Sequence, residues 1–302
     1  MKAWQIYLRG MGMGAADVVP GISGGTVAFI TGIYERLINC LRSFDWQLLA
    51  AWRKGGLKGI YQAVDGTFLL SLLAGVFTSL LLLAHLISWL LVTYPHHLNG
   101  FFFGLVASSG IIISRQIVHW TFSRLFFIAL GAVLANLLGL LLPSIGQITP
   151  LTFFLAGMIS ICAMILPGIS GSFLLLVMGL YGPLIEALKA ANLPLLFAFA
   201  GGAGIGLLSF SHLLGWLFEH YRAATFATLF GFVIASLSHI WPWQLLTHYR
   251  ISPEGKMIPL DTQVLLPWSY TQITGEPSHL IPVVILALGG WLLVLWLAPR
   301  NK

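Results

Sequence analysis

Charge is what this chain has least of. Only 8% of its 302 residues are Asp, Glu, Lys or Arg, while apolar residues make up 58% and the mean hydropathy is +0.92. Soluble domains carry roughly 25% charge, so a soluble globular protein is excluded and a bilayer is the expected solvent. Cysteine is nearly absent too. Cys40 and Cys162 are the two present, which excludes a disulfide framework and leaves them as unpaired packing residues. No G-x-x-x-x-G-K-[ST] run occurs, so no energy-transducing nucleotide site is visible. There is no low-complexity tail and no separate soluble domain. The segment Met1–Arg9 lacks the apolar run and cleavage site of a signal peptide, so it is expected to be retained. His96-His97 has no partner spacing that makes a metal site, and no cofactor is expected. The net charge of +6 is too scattered for a nucleic-acid partner; its placement reports membrane orientation instead.

What the chain does have is one unusual turn, twice. Pro20-Gly21-Ile22-Ser23-Gly24 stands 147 residues before Pro167-Gly168-Ile169-Ser170-Gly171, and both interrupt long apolar runs. The likeness extends through Gly32/Gly179, Tyr34/Tyr181, Leu37/Leu184, Ile38/Ile185 and Leu41/Leu188, giving 10 identities in the 25 positions from 17 to 41. A glycine-rich break frees backbone N–H and C=O groups where lipid offers no partner. Its repetition points to a duplicated membrane protein whose broken helices meet at one site. With an offset of 127, residues 69–109 align without gaps to 196–236 and share 13 of 41 positions, including His85/His212, Trp89/Trp216, Tyr94/Tyr221, Gly75/Gly202 and Gly104/Gly231. Ala129-Leu130-Gly131 and Ala287-Leu288-Gly289 match more weakly.

The expected fold is an all-α integral membrane protein with an inverted-topology repeat. Each half is a re-entrant broken-helix hairpin plus three transmembrane helices, although a kinked full span remains an alternative for each hairpin. Candidate spans are Phe68–Val92, Gly100–Ser114, Leu125–Leu142, Leu195–Phe218 and Leu280–Ala298, with Thr225–Trp241 a shorter sixth. The whole chain, 1–302, reads as a single membrane domain: repeat one over 1–145, repeat two over 146–302, a basic insertion over 42–67 and a loop over 242–278. Under this topology twelve Lys and Arg fall on one side and three on the other. That bias puts both termini and the 42–67 insertion in the cytoplasm, and the 242–278 loop outside. Trp46, Leu48, Leu49 and Trp52 of the insertion are expected to lie in the interface beside anionic lipid.

The chemistry is expected at the turns. In 20–26, Gly21, Gly24 and Gly25 let backbone approach a ligand, Ser23 and Thr26 offer hydroxyls, and a half-helix starting there favours a phosphate or carboxylate. Gly168, Ser170, Gly171 and Ser172 form the second copy, which lacks counterparts of Gly25 and Thr26. The plainer reading is a tight turn that only permits close helix packing. Asp17, where the second copy has Met164, is either an ion-coupling carboxylate for H⁺ or Na⁺ or a cap on the half-helix. His85 and His212, each one helical turn from a Trp, either line a pathway or pack between helices. Arg36 and Arg124, near span ends, either meet a lipid phosphate or serve as orientation signals.

At these residues the chain resembles a known family. Ala15-Ala16-Asp17-Val18-Val19-Pro20-Gly21-Ile22-Ser23-Gly24-Gly25-Thr26 with Gly32-Ile33-Tyr34-Glu35, and Leu166-Pro167-Gly168-Ile169-Ser170-Gly171-Ser172 downstream, are similar to the motifs of bacterial polyprenyl-phosphate translocases, once catalogued as domain of unknown function 368. The resemblance spans the chain and implies a lipid flippase of the bacterial inner membrane. Such a protein returns undecaprenyl phosphate from the outer to the cytoplasmic leaflet for cell-wall and envelope polysaccharide synthesis. It supplies no map of site residues. The physics agrees: a charged head needs a polar passage, while the tail stays in lipid. Movement is then passive or ion-coupled. A homo-oligomer is compatible with the sequence. The alternatives are a transporter of another small anion and a membrane-integral undecaprenyl-pyrophosphate phosphatase. The latter needs a clustered nucleophile, acid–base group and arginine that neither turn contains.

Overall fold

The computed structural model describes residues 1–19, 22–117, 119–141, 148–251 and 257–297. Pro20, Gly21, Leu142, Lys256, Ala298, Arg300 and Lys302, all used in the sequence reading, lie outside them. The first half runs α1 (Ala3–Asp17), α2 (Gly24–Ile30), α3 (Tyr34–Arg42), α4 (Gln47–Ala63), α5 (Gly66–Thr93), α6 (Pro95–Ser114) and α7 (Phe122–Leu141). The second runs α8 (Pro150–Ile165), α9 (Gly171–Val177), α10 (Tyr181–Lys189), α11 (Leu193–His220), α12 (Arg222–His239), β1 (Gln244–Ile251), β2 (Met257–Val264), α13 (Pro267–Thr274) and α14 (Leu280–Leu297).

Helix starts recur at the spacings seen in the sequence. α1, α2 and α3 begin 147 residues before α8, α9 and α10; α5 and α6 begin 127 before α11 and α12; α7 begins 158 before α14. Packing recurs as well. α1 lies on α5 as α8 lies on α11, whereas α6 packs on α14 and α12 on α7, an exchange of third helices between the halves. Small residues make these contacts close. A Cβ on Gly75 would overlap the Tyr7 carbonyl oxygen, and one on its counterpart Gly202 would overlap that of Phe154. Gly104 and Gly231 stand in the same way against the Ala287 and Ile128 carbonyls. In lipid, where apolar surface gives no preference for a partner helix, such backbone approach is what binds helices.

Gly202→Ala is therefore expected to destabilise the purified protein by about 1–3 kcal/mol through overpacking. Gly204 has nothing within 4 Å of an added Cβ. There alanine should be neutral or slightly stabilising, by up to about 1 kcal/mol of helix propensity. Thermal unfolding in detergent separates the two; equal Tm values would remove the close contact.

Among the described residues, four helices are long and apolar enough to cross a membrane: α5, α6, α11 and α14. The α9–α10 pair, bent by 101°, makes a fifth if it is one span. The chain is thus a multi-pass membrane protein, predominantly helical. α12 falls short on composition because Arg222 and His239 stand at its two ends; between them Phe226, Leu229, Phe232, Val233 and Ser236 are buried. The described apolar stretch of α7 is also short, Phe122–Leu137.

The bend after each seven-residue helix has a local cause. Gly32 and Gly179, with φ of 70° and 74°, adopt the left-handed conformation that ends a helix cheaply only for glycine. Ile33 N–H then bonds the Ala28 carbonyl and Leu180 N–H the Leu175 carbonyl, both at 2.9 Å.

The two insertions differ in kind. α4 fills the first, with Trp46, Leu49, Trp52 and Leu57 exposed and no buried residue. The second holds an antiparallel β-hairpin, Gln244–Ile251 with Met257–Val264, and α13. Expectation there was of a loop in an all-α chain; the strands form outside the helical bundle, where pairing satisfies their backbone groups. Trp243 and Trp241 hold this element by donating Nε1–H bonds to Ser278 O at 2.7 Å and Leu265 O at 2.8 Å. Both cysteines are free, Cys40 buried and Cys162 half-buried.

Candidate functional site: the joint between the two turns

α1 stops at Asp17 and α2 starts at Gly24, with Ser23 as an extended N-cap residue. The first two N–H groups of α2 are already bonded. Gly24 N–H donates to Asp17 Oδ1 at 2.7 Å, and Gly25 N–H donates to Ser23 Oγ at 3.0 Å. Asp17 thus caps the half-helix, as one of its two sequence readings held; the ion-coupling reading is independent of that contact. A Cβ on Gly24 would stand 2.6 Å from Asp17 Oδ2, so glycine leaves the space the carboxylate fills. In the second copy Met164 takes Asp17's place, and its side chain packs against Gly171 in the same way.

The second turn runs from the end of α8 at Ile165 through Gly168, whose φ is +87°, to Ser170, the N-cap residue of α9. Ser170 Oγ accepts from Phe173 N–H at 3.4 Å and lies 2.9 Å from Ser172 Oγ.

These turns, more than 140 residues apart in sequence, touch. Ser23 Oγ donates to Met164 O at 2.7 Å, and Gly168 N–H donates to Thr26 Oγ1 at 3.0 Å. Gly25 faces the Ile165 carbonyl, which a Cβ would overlap. Ser23, Thr26 and Ser170 are all buried. The structure therefore brings Ser23, Gly24, Gly25, Thr26, Gly168, Ser170, Gly171 and Ser172 into one region; Gly21 lies outside the described residues.

The other candidates stand elsewhere. His85 is exposed on α5, and His212 places Nδ1 2.8 Å from Leu208 O of its own helix. The tryptophans one turn on from them meet tyrosines at the helix ends: Trp89 with Tyr94 and Trp216 with Tyr221, ring centroids 5.7 and 5.5 Å apart. Arg36 pairs with Asp65 at 2.7 Å and lies over the Phe68 ring. Arg124 is half-buried in the first turn of α7.

Two further ion pairs were not legible as pairs. Arg222 donates to both carboxylate oxygens of Glu35, at 2.7 and 3.1 Å, and Arg42 pairs with Glu219. They join α3 to the junction of α11 and α12. His239 was also missed. With Ser170, Ser236 and Gly168 it lines a cleft beside the second turn. Its counterpart 127 residues earlier is Ile112, so the internal comparison carried no signal for it.

Against this geometry the comparisons with known proteins are specific. The profile described as undecaprenyl phosphate translocase-like matches residues 13–258, which contain both turns. The chain belongs to that family. Among curated relatives of the translocase-like family, a polyprenyl-phosphate transporter of Vibrio cholerae is 45% identical over 297 residues, covering 98% of this chain and 96% of the relative. A polyprenyl-phosphate transporter of Staphylococcus aureus is 31% identical over 272 residues, covering 79% of this chain and 86% of its own length. The translocase-like family and these relatives are named for transport, not for catalysis, so the chain is a transporter rather than an enzyme. No solved structure matches.

Proposed function

We propose that the protein carries undecaprenyl phosphate from the outer to the cytoplasmic leaflet of a bacterial inner membrane, passing the phosphate head between the two turns. The observation that carries this reading is the joint itself: two polar, glycine-rich breaks from opposite halves, bonded to one another inside an apolar bundle. The matched relatives supply the substrate class, and the paucity of buried charge suits a lipid whose tail never leaves the bilayer. In this reading the halves are inverted repeats over 1–145 and 146–302. Each α1–α3 or α8–α10 unit is re-entrant and enters from its own face. Both termini and α4 are cytoplasmic, and the hairpin over 242–278 is external. Side-by-side grouping of Glu35, Arg36, Arg42, Asp65, Glu219 and Arg222 at one end of the bundle supports that orientation.

The head group meets Ser23, Gly24, Gly25, Thr26, Gly168, Ser170, Gly171 and Ser172 when the joint parts. Asp17 is the residue to which we assign coupling to H⁺ or Na⁺.

The test is leaflet movement of undecaprenyl phosphate in liposomes carrying the purified protein, with phosphate release from undecaprenyl pyrophosphate followed in parallel. Movement without release is expected, and Ser23→Ala, which loses the bond to Met164 O, should slow it severalfold. Absence of movement under imposed ion gradients in well-folded protein would overturn the reading.

A further inference from the structure

A small, partly open cleft lies beside the second turn, between α7, α9 and α12. Its walls are apolar, from Ala135, Ile169, Phe173 and Leu174, and its polar groups come from Ser170, Ser236 and His239. Resting on the transport reading above, we propose that this cleft is the entry pocket for the phosphate monoester head of a polyprenyl lipid, with His239 as its principal hydrogen-bonding partner.

Three observations lead there. The first is chemical. An apolar pocket with a few convergent polar groups is the usual form of a small-ligand site, and His239 is the ionisable side chain in this lining. Its ring is held edge-on by Phe173, centroids 5.7 Å apart, and Nδ1 lies 3.4 Å from Ala235 O of its own helix. Nε2, on the other side of the ring, is the nitrogen left to a ligand. Charge-assisted hydrogen bonds of this kind are the strong ones for phosphate.

The second observation is electrostatic. At the first turn the Asp17 carboxylate already occupies the space against Gly24, and a phosphate brought there would meet a like charge. At the second turn the equivalent position is Met164, which repels nothing. An anion is therefore better received at the second turn.

The third is the difference between halves. Ser236 has a matching serine 127 residues earlier, Ser109, and both bond a carbonyl of their own helix, so they are part of the shared scaffold. His239 has Ile112 instead. The histidine is an addition to one half, exposed at the edge of the cleft, where a head group can enter while its apolar chain stays outside. A histidine in the last turn of a helix can also serve only to favour the helix dipole, and the experiment is chosen to separate that role.

Farnesyl phosphate, inorganic phosphate and farnesol are titrated into purified protein in detergent, with apparent Kd read from ligand-dependent thermal shifts. Wild type is expected to bind farnesyl phosphate well above either comparison compound. His239→Ala should weaken binding at least tenfold, His239→Lys should recover part of the loss, and Ala135→Phe, which fills the cleft from the α7 side and leaves the histidine in the sequence, should weaken it similarly. Equal binding of farnesol, or inorganic phosphate as tight as the lipid, would overturn recognition of a lipid phosphate. Wild-type affinity in both His239→Ala and Ala135→Phe would overturn the cleft while leaving the transport reading intact. Failure of wild type both to bind farnesyl phosphate and to move undecaprenyl phosphate would remove the transport reading, and this proposal with it.

Discussion

Gly25→Ala is expected to slow transport at least tenfold in liposomes, although it adds a single methyl group. The added Cβ would overlap the Ile165 carbonyl oxygen and lie 3.1 Å from that of Met164. Both are backbone atoms of the opposite turn, so no side-chain rotation relieves the clash. The two turns must separate, and with them go the bonds from Ser23 Oγ to Met164 O and from Gly168 N–H to Thr26 Oγ1. Leaving a buried polar group without its partner costs about 1–3 kcal/mol, enough to depopulate the closed joint that has to alternate with the parted one during transport. The counterpart position provides the control. Ser172 already bears a side chain there, and Ser172→Ala should be much milder. Full transport by a monodisperse Gly25→Ala protein would take the joint out of the mechanism.

Asp17 should show the next largest effect, and its two substitutions are expected to differ. Alanine removes the acceptor of the Gly24 N–H bond and empties the space beside that glycine. Lost caps cost about 0.5–2 kcal/mol, and this one also sets where α2 begins, so Asp17→Ala should lose both thermal stability and most transport. Asparagine keeps an oxygen acceptor in nearly the same place and removes only the ionisable group. Asp17→Asn is expected to fold normally and to move lipid, but with no response to an imposed H⁺ or Na⁺ gradient. The readout is transport rate with and without each gradient. A gradient response equal to wild type would leave Asp17 with the cap alone.

Much of this architecture was written in the sequence because the same segment occurs twice. The offsets of 147 and 127 fix helix starts that a hydropathy plot blurs, and the shared glycines mark the contacts. Gly75, Gly202, Gly104 and Gly231 stood out as matched residues, and each faces a carbonyl of a neighbouring helix. The contact between turns followed from duplication as well. Legibility failed where the halves differ. The β-hairpin lies in an insertion with no counterpart, and its pairing depends on residues outside the apolar pattern. His239 faces a cleft assembled from α7, α9 and α12, three elements far apart in sequence, and a lone histidine at a helix end gives no periodic signal. Arg42 and Arg222 were visible as basic residues, but their acidic partners lie 177 and 187 positions away.

Those ion pairs have a mechanical consequence. α3 is only nine residues long, yet Glu35, Arg36 and Arg42 on it reach the start of α5 on one side and the α11–α12 junction on the other. The three pairs are attached to one short rod, so a displacement of α3 changes the geometry of each. All are exposed enough for dissolved ions to reach them, and the screening length shrinks from about 8 Å in physiological salt to about 3 Å at 1 M. α3 is in effect a catch whose stiffness is set by the ionic strength of the solution bathing that end of the bundle.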